Sequence, residues 1–444
     1  MRTLIKNATV INEGEEYNAT LLIEDETILA IYRNGETFPE DADDTVEAQG
    51  MYVLPGVIDD HVHMRDPGLT HKADMASETR AAVAGGVTSV MDMPNVLPQT
   101  TTISLWKDKM NMASNVCHAN YAFYLGATYD NLNEIKQMDT SRIPALKMFM
   151  GSSTGGMLVD KENKLRQIFQ ECPSLIMAHC EDTVRINERM KEAKEKCGED
   201  PSVEYHPWVR DDIACYQSTA LAVRLAKESN ARLHIAHITT ERELSLLEKG
   251  EIDEKRITAE VCPQHLFYTD KDYQKLGSLI KSNPAIKSER DREALRNAAR
   301  EGLIDVVGTD HAPHLLSEKE GGAAKAVSGM PIIQFSLPLM LTMADNGTMT
   351  LTRVVEMMCH NPARLFRIKR RGFIRPGYKA DIVLVKKEAW VVDTRNILSK
   401  CGWSPLTGEQ LNWRVMSTWC NGHKVFDGSN IDDSFIGQAL EFGE

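Results

Sequence analysis

From residue 57 to residue 309 the chain repeats one pattern: a short apolar run of strand character, mostly followed by a helical stretch. The runs are Val57–Val62, Thr88–Met93, Tyr121–Gly126, Ala145–Met150, Leu175–His179, Leu233–Ile238, Ile257–Val261 and Asp305–Thr309. Strands alternating with helices imply a parallel sheet. Eight of them imply closure into a (β/α)8 barrel. An open, doubly wound sheet is the alternative, but no Gly-rich dinucleotide fingerprint follows the first run.

The two ends read differently. Residues 1–54 hold short strands, Thr3–Ile11, Ala19–Ile23 and Thr27–Tyr32, separated by Gly, Asn and Asp turn signals. Beyond "HNPARLF" (360–366) the β character returns in "GYKADIVLVKK" and "WCNGHKVFDG". Neither end has a core of its own, so the two are expected to combine. The expected fold class is therefore α/β: a (β/α)8 barrel over 55–366 and a small composite β-sandwich domain from 1–54 plus 367–444. The charged segment from Glu181 to Asp212 reads as a helix and a loop over the barrel mouth.

Composition excludes several classes. The 444 residues carry a formal net charge of −13 with no long basic run, which disfavours nucleic acid as a partner. No uninterrupted apolar run is long enough to cross a bilayer. The opening "MRTLIKNATVINEGEE" turns polar too early for a signal peptide. Nine scattered cysteines without a C-x-x-C pair argue against a disulfide framework or a thiolate zinc site, and fit a reducing cytoplasm.

Barrels of this type build their sites where the strands end. Run one ends in "DDHVHMRDPG", where alternation sends His61, His63 and Arg65 to one side. Run five ends at His179, run six at His237, and run eight at Asp310, followed by His311 and His314. Four imidazoles and a carboxylate (His61, His63, His179, His237, Asp310) suit borderline divalent ions such as Zn²⁺ rather than Ca²⁺ or Mg²⁺. Five ligands exceed what one catalytic zinc takes from protein, so two metals are expected. His234 lies three before His237 and is expected to face the helix layer. His71, His118, His206, His360 and His423 read as structural or solvated.

Run four holds a charge where none is expected. Alternation puts Ala145, Lys147 and Phe149 on one face, and Lys147 sits near the mouth. Burial lowers a lysine pKa and leaves a neutral, nucleophilic amine. Such an amine can add carbon dioxide to give a carbamate, an anionic ligand able to bridge two cations. A salt bridge to an acidic neighbour is the plainer use, and the carbamate is the reading favoured here.

These features together resemble the amidohydrolase superfamily: H-x-H after strand one, a strand-four lysine, histidines ending strands five and six, an aspartate ending strand eight. "PGVIDDHVHMRDPGLTHKADMASETRAAVAGGVTSVMDMPN", "GTDHAPH", "SNPAIK" and the tail "NPARLF…IRPGYKADIVLV" are more closely similar to the dihydroorotase family, across nearly the whole chain. The resemblance implies a binuclear zinc hydrolase of cyclic amides that interconverts N-carbamoyl-L-aspartate and (S)-dihydroorotate in pyrimidine synthesis. It implies that His61, His63 and Asp310 hold one metal and His179 and His237 the other, with carboxylated Lys147 bridging. Arg65, Asn95, Asn283 and His314 match substrate-binding positions, and the backbone at Ser328 and Gly329 matches a further contact. Asp310 would take and deliver the proton of the reaction. The partners implied are a small-molecule substrate and, at most, a second copy of the chain in a homodimer. Ser328 stands where many relatives have an aromatic residue, and some relatives have aspartate in place of Lys147.

Two other readings compete. Allantoinase- or dihydropyrimidinase-like ureide hydrolases act on substrates without a carboxylate and generally lack arginine at position 65. A silent barrel acting as a scaffold would have lost metal ligands, and none is lost here. Within residues 315–330, "SEKEGGAAKAVSG" combines charge and glycine with little to bury, so a mobile loop is expected there.

Overall fold

In a computed structural model of the chain, residues 1–151 and 157–443 are described. The N-terminal strands are β1 (Arg2–Asn12), β2 (Glu15–Glu24), β3 (Thr27–Arg33), β4 (Asp44–Glu47) and β5 (Tyr52–Pro55). The barrel strands are β6 (Val57–Val62), β7 (Val87–Asp92), β8 (Asn120–Phe123), β9 (Leu125–Gly126), β10 (Leu146–Phe149), β11 (Ile176–His179), β12 (Leu233–Ile235), β13 (Ile257–Val261) and β14 (Val306–Val307). The C-terminal strands are β15 (Ile382–Val391), β16 (Gln410–Cys420) and β17 (His423–Phe426).

β6, β7 and β8 form one parallel sheet, and β9 to β14 form another in chain order. β8 and β9 are one strand interrupted at Tyr124. A parallel bridge between Val62 and His311 joins the first strand to the end of the last. The result is a closed eight-stranded (β/α)8 barrel.

Strand alternation explains its layers. On β10, Leu146 and Met148 turn outward into one apolar cluster with Leu165, Ile168 and Phe169, the buried face of helix Glu162–Glu171. Ala145 turns inward with Ile58, Met91, Met177 and Ala236, and Leu365, Phe366 and Ile368 close this interior cluster. The longest helix, Asp212–Ser229, starts where the Asp211 carboxylate accepts from the Ala214 N–H at 2.9 Å.

The ends of the chain meet in a second sheet, ordered β17-β16-β15-β5-β1-β2-β3, with β4 beside β1. The two halves of the expected sandwich are hydrogen-bonded to each other through β5 and β15, paired antiparallel with Ile382 opposite Pro55. The first half of β15 is buried on both faces: Ile382 and Leu384 join the β-domain core, whereas Val383 and Val385 pack towards the barrel helices. β4 and β5 have no counterpart in the strands expected from sequence.

Two further expectations need correction. His234 does not face the helix layer: it is fully buried beside the interior residue Ala236, with its Nδ1 2.8 Å from Thr258 Oγ1 of the next strand. His237 adopts φ +35°, which breaks the alternation on which the outward placement relied. Residues 315–330 are held more firmly than their composition suggests. Buried Lys319 donates to the carbonyls of Lys281, Val327 and Gly329, and Asp200 accepts from the N–H groups of Gly322, Ala324 and Lys325.

Candidate active site

One cavity at the barrel mouth is lined by His61, His63, Arg65, Asn95, Phe149, His179, His237, Asn283, Asp310, Ala312, Ser328 and Gly329. Lys147 lies beneath it and His314 behind Arg65. The strand ends and the loops after them therefore bring the expected metal and substrate residues to one place.

His61, His63 and Asp310 offer ligand atoms that all lie within 4.8 Å of one another. Asp310 Oδ1 is 3.0 Å from His63 Nε2 and 3.4 Å from His61 Nε2. The opposite ring nitrogens fix the tautomers. His63 Nδ1 donates to Asn95 Oδ1 at 2.8 Å, and His61 Nδ1 donates to Glu260 Oε1 at 2.9 Å. Both rings thus turn the Nε2 lone pair towards Asp310. Burial, with the charge of Lys147 second, lowers the His61 pKa to about 3, and burial lowers that of His63 to about 4. Neutral imidazoles are what a metal requires.

Across the mouth, His179 Nε2 donates to Glu181 Oε2 at 3.0 Å, which leaves the Nδ1 lone pair 3.0 Å from His237 Nε2. His237 Nδ1 is buried without a partner among the described residues. Burial opposes ionisation of Glu181, but Arg210 and then His179 hold its pKa down to about 2. The two histidines present adjacent donor atoms to a shared position, a geometry suited to a second cation.

Lys147 Nζ lies 3.4 Å from His61 Nε2 and 5.3 Å from the Phe149 ring centroid, fully buried. Among the described residues no carboxylate is ion-paired with it. Burial lowers its pKa, although Glu260 and Asp310 oppose the shift. The amine thus lies between the two histidine sets, with no ion pair among the described residues. Ser152 and Ser153, which follow it, lie outside the described residues.

Arg65 adopts φ +66° and is only 4% exposed. Its Nε donates to Pro313 O at 3.1 Å and its Nη2 to His314 Nε2 at 3.0 Å. His314 Nδ1 in turn faces Lys72 Nζ at 3.2 Å. Burial, then Arg65 and Lys72, keep this ring far from protonation. Asn283 Oδ1 is buried without a hydrogen bond among the described residues. Gly329 has φ +140°, and a Cβ there would lie 2.6 Å from Ala312 O and 2.8 Å from His314 Cδ2. Its N–H donates to Lys281 O and its carbonyl accepts from Lys319, so both of its backbone groups are engaged.

Sequence reasoning missed Glu260 and Glu181, which orient His61 and His179. Glu181 carried a signal, two residues past His179 in "AHCED"; Glu260 carried none, because its partners come from other strands. His311, near the site in sequence, is structural: its Nε2 meets Glu78 Oε2 at 2.7 Å and its Nδ1 accepts from the Ile332 N–H.

A closed (β/α)8 barrel with paired imidazoles and an aspartate at its mouth defines the class: the chain belongs to the amidohydrolase family, whose sequence profile matches residues 52–425. It is 34% identical to dihydroorotase from Halobacterium salinarum over 391 residues, 87% of this chain and 89% of that protein. It is 29% identical to L-hydantoinase from Paenarthrobacter aurescens over 441 residues, 96% and 95% of the two. The solved structure of an L-hydantoinase from Arthrobacter aurescens matches with a TM-score of 0.93 at 28% identity, over 99% of both chains. The protein is a cyclic amidohydrolase.

Proposed function

We propose that this protein is a dihydroorotase, closing N-carbamoyl-L-aspartate to (S)-dihydroorotate, and reopening it, in cytoplasmic de novo pyrimidine synthesis. The observation that carries this reading is Arg65, a buried guanidinium lining the cavity beside the imidazoles. Its Nε and Nη2 are anchored, and its Nη1 makes no hydrogen bond among the described residues. A buried cation without an anion is unfavourable, and a substrate carboxylate beside the reacting ring supplies one. Hydantoin and dihydrouracil have no such group.

Two zinc ions would be held by His61, His63 and Asp310 and by His179 and His237, with Lys147, as a carbamate, the further anionic ligand between the two sets. Held there, the ions supply Lewis acidity to a ring carbonyl and to water. The chain's own groups do the rest. Arg65 binds the exocyclic carboxylate, and His314 fixes the guanidinium from behind. Asn283 Oδ1 accepts from a ring N–H, and Asn95 orients His63 and borders the carboxylate. With Gly329 fully engaged, the backbone contact falls to Ser328. Asp310 accepts the proton of the attacking water and delivers it to the leaving ring nitrogen; in closure it donates in the opposite sense. Closure consumes a proton overall, so acid favours synthesis.

The whole-chain likeness to L-hydantoinase favours one other reading, a ureide ring opener. Zinc-loaded protein assayed with dihydroorotate, hydantoin, dihydrouracil and allantoin decides between them. Dihydroorotate should be opened with the highest kcat/KM. Faster turnover of any carboxylate-free ring would overturn the proposal.

A further inference from the structure

Beneath the mouth, inside the barrel, Asp60, His234 and Glu260 form a second cluster with ligand atoms all within 4.8 Å of one another. Asp60 is 0% exposed, and among the described residues neither of its carboxylate oxygens, nor Glu260 Oε2, nor His234 Nε2 has a hydrogen-bond partner. Glu260 is equally buried, and its Oε1 accepts from His61 Nδ1 and the His237 N–H. His234 Nε2 lies 3.4 Å from Asp60 Oδ2.

Thr258 Oγ1 lies 2.8 Å from His234 Nδ1 and 3.4 Å from Leu233 O. Four polar atoms converge here: both oxygens of Asp60, Glu260 Oε2 and His234 Nε2. Even a proton on Nε2 would satisfy at most one of the three carboxylate oxygens. The backbone makes room for this convergence: a Cβ on Gly308 would lie 2.5 Å from Asp60 Oδ1 and 2.6 Å from Glu260 Oε2.

We propose that Asp60, His234 and Glu260 bind a further divalent cation of the zinc class, distinct from the pair proposed at the mouth. Two carboxylates and a neutral imidazole balance a charge of +2, and the mixed O/N set suits a borderline ion. Donors each ~2.1 Å from one zinc lie at most ~4.2 Å apart, so small side-chain rotations bring all three onto it. The Thr258 contact is the outer hydrogen bond that metal-bound histidines characteristically make. The ion ties together strands β6, β12 and β13 and, through Glu260, fixes the ring of His61.

Anomalous diffraction at the zinc edge, with elemental analysis, tests this on full-length protein produced in zinc-supplemented medium. The expected map has a peak between Asp60, His234 and Glu260 besides those at the mouth, and three zinc ions per chain. Asp60→Val should lose that peak and one equivalent while keeping the mouth peaks; Lys147→Ala should keep the deep peak. A wild-type map without the deep peak, or an Asp60→Val map that retains it, overturns the proposal. The wild-type map decides alone where a variant does not fold. Absence of the mouth peaks with the deep one present would sink the proposed pair and leave this site standing.

Discussion

Replacing Arg65 with glutamine keeps a polar, hydrogen-bonding side chain at 4% exposure but removes the charge. Truncating one member of a buried, hydrogen-bonded charge pair costs about 2–5 kcal/mol. At about 1.4 kcal/mol per decade this lowers kcat/KM for dihydroorotate by roughly 30- to 5,000-fold. Pro313 O and His314, which anchor the guanidinium, lose one donor each in any variant, so a general structural penalty must be separated from the specific one. Dihydrouracil does this, because it is the same ring without the carboxylate. Steady-state kinetics of both variants on both rings form a double-mutant cycle. The specific loss should appear on dihydroorotate alone, with Arg65→Lys intermediate because an ammonium cannot form the planar fork. Equal loss on both rings would mean that Arg65 only holds the loop of Pro313 in place. No loss on dihydroorotate would mean that the carboxylate binds elsewhere, and the argument from Arg65 would fail.

Lys147→Ala should remove the bridging anion and with it most zinc binding at the mouth and most activity, and short carboxylic acids should restore part of both. Metal content and turnover check this, and a wild-type spectrum with ¹³C-bicarbonate that lacks a carbamate carbon refutes it. Glu181, held at about 2 against an ordinary 4.5, contributes stability that is present above pH 4.5 and lost as the pH falls towards 2. The shift corresponds to about 3 kcal/mol. In chelator-treated protein, Glu181→Gln should therefore unfold at lower urea than wild type at pH 7, with the gap closing through that window. A gap that stays constant with pH rules the account out.

The barrel was legible because each of its strands is a short apolar run and because reactive side chains stand at the ends of four of them. Lys147 was legible for the same reason: alternation on β10 separates it cleanly from Leu146 and Met148. His234 was not, because its face depends on the backbone at His237, where φ +35° departs from strand geometry, and no periodicity encodes that. Glu260 acts through partners on other strands, so its sequence neighbours reveal little of its work, whereas Glu181 sits two residues past the histidine it orients. The segment 315–330 misled in the opposite direction. Its glycines and charges suggest looseness, yet Lys319 spends its ammonium on three backbone carbonyls, a use that composition does not announce.

The antiparallel pairing of β5 with β15 sets a timetable for synthesis. Strands β1 to β5 leave the ribosome first, but the edge of β5 waits for Ile382 to Val385 before it is covered. At about 5–20 residues per second, that edge stays open for roughly 15–65 s, during which the whole barrel is made. An uncovered, apolar edge strand is a template for pairing with other chains. A nascent chain stalled before β15 would therefore carry a formed or forming barrel together with a ready site of aggregation, and β15 acts as the cap that retires it.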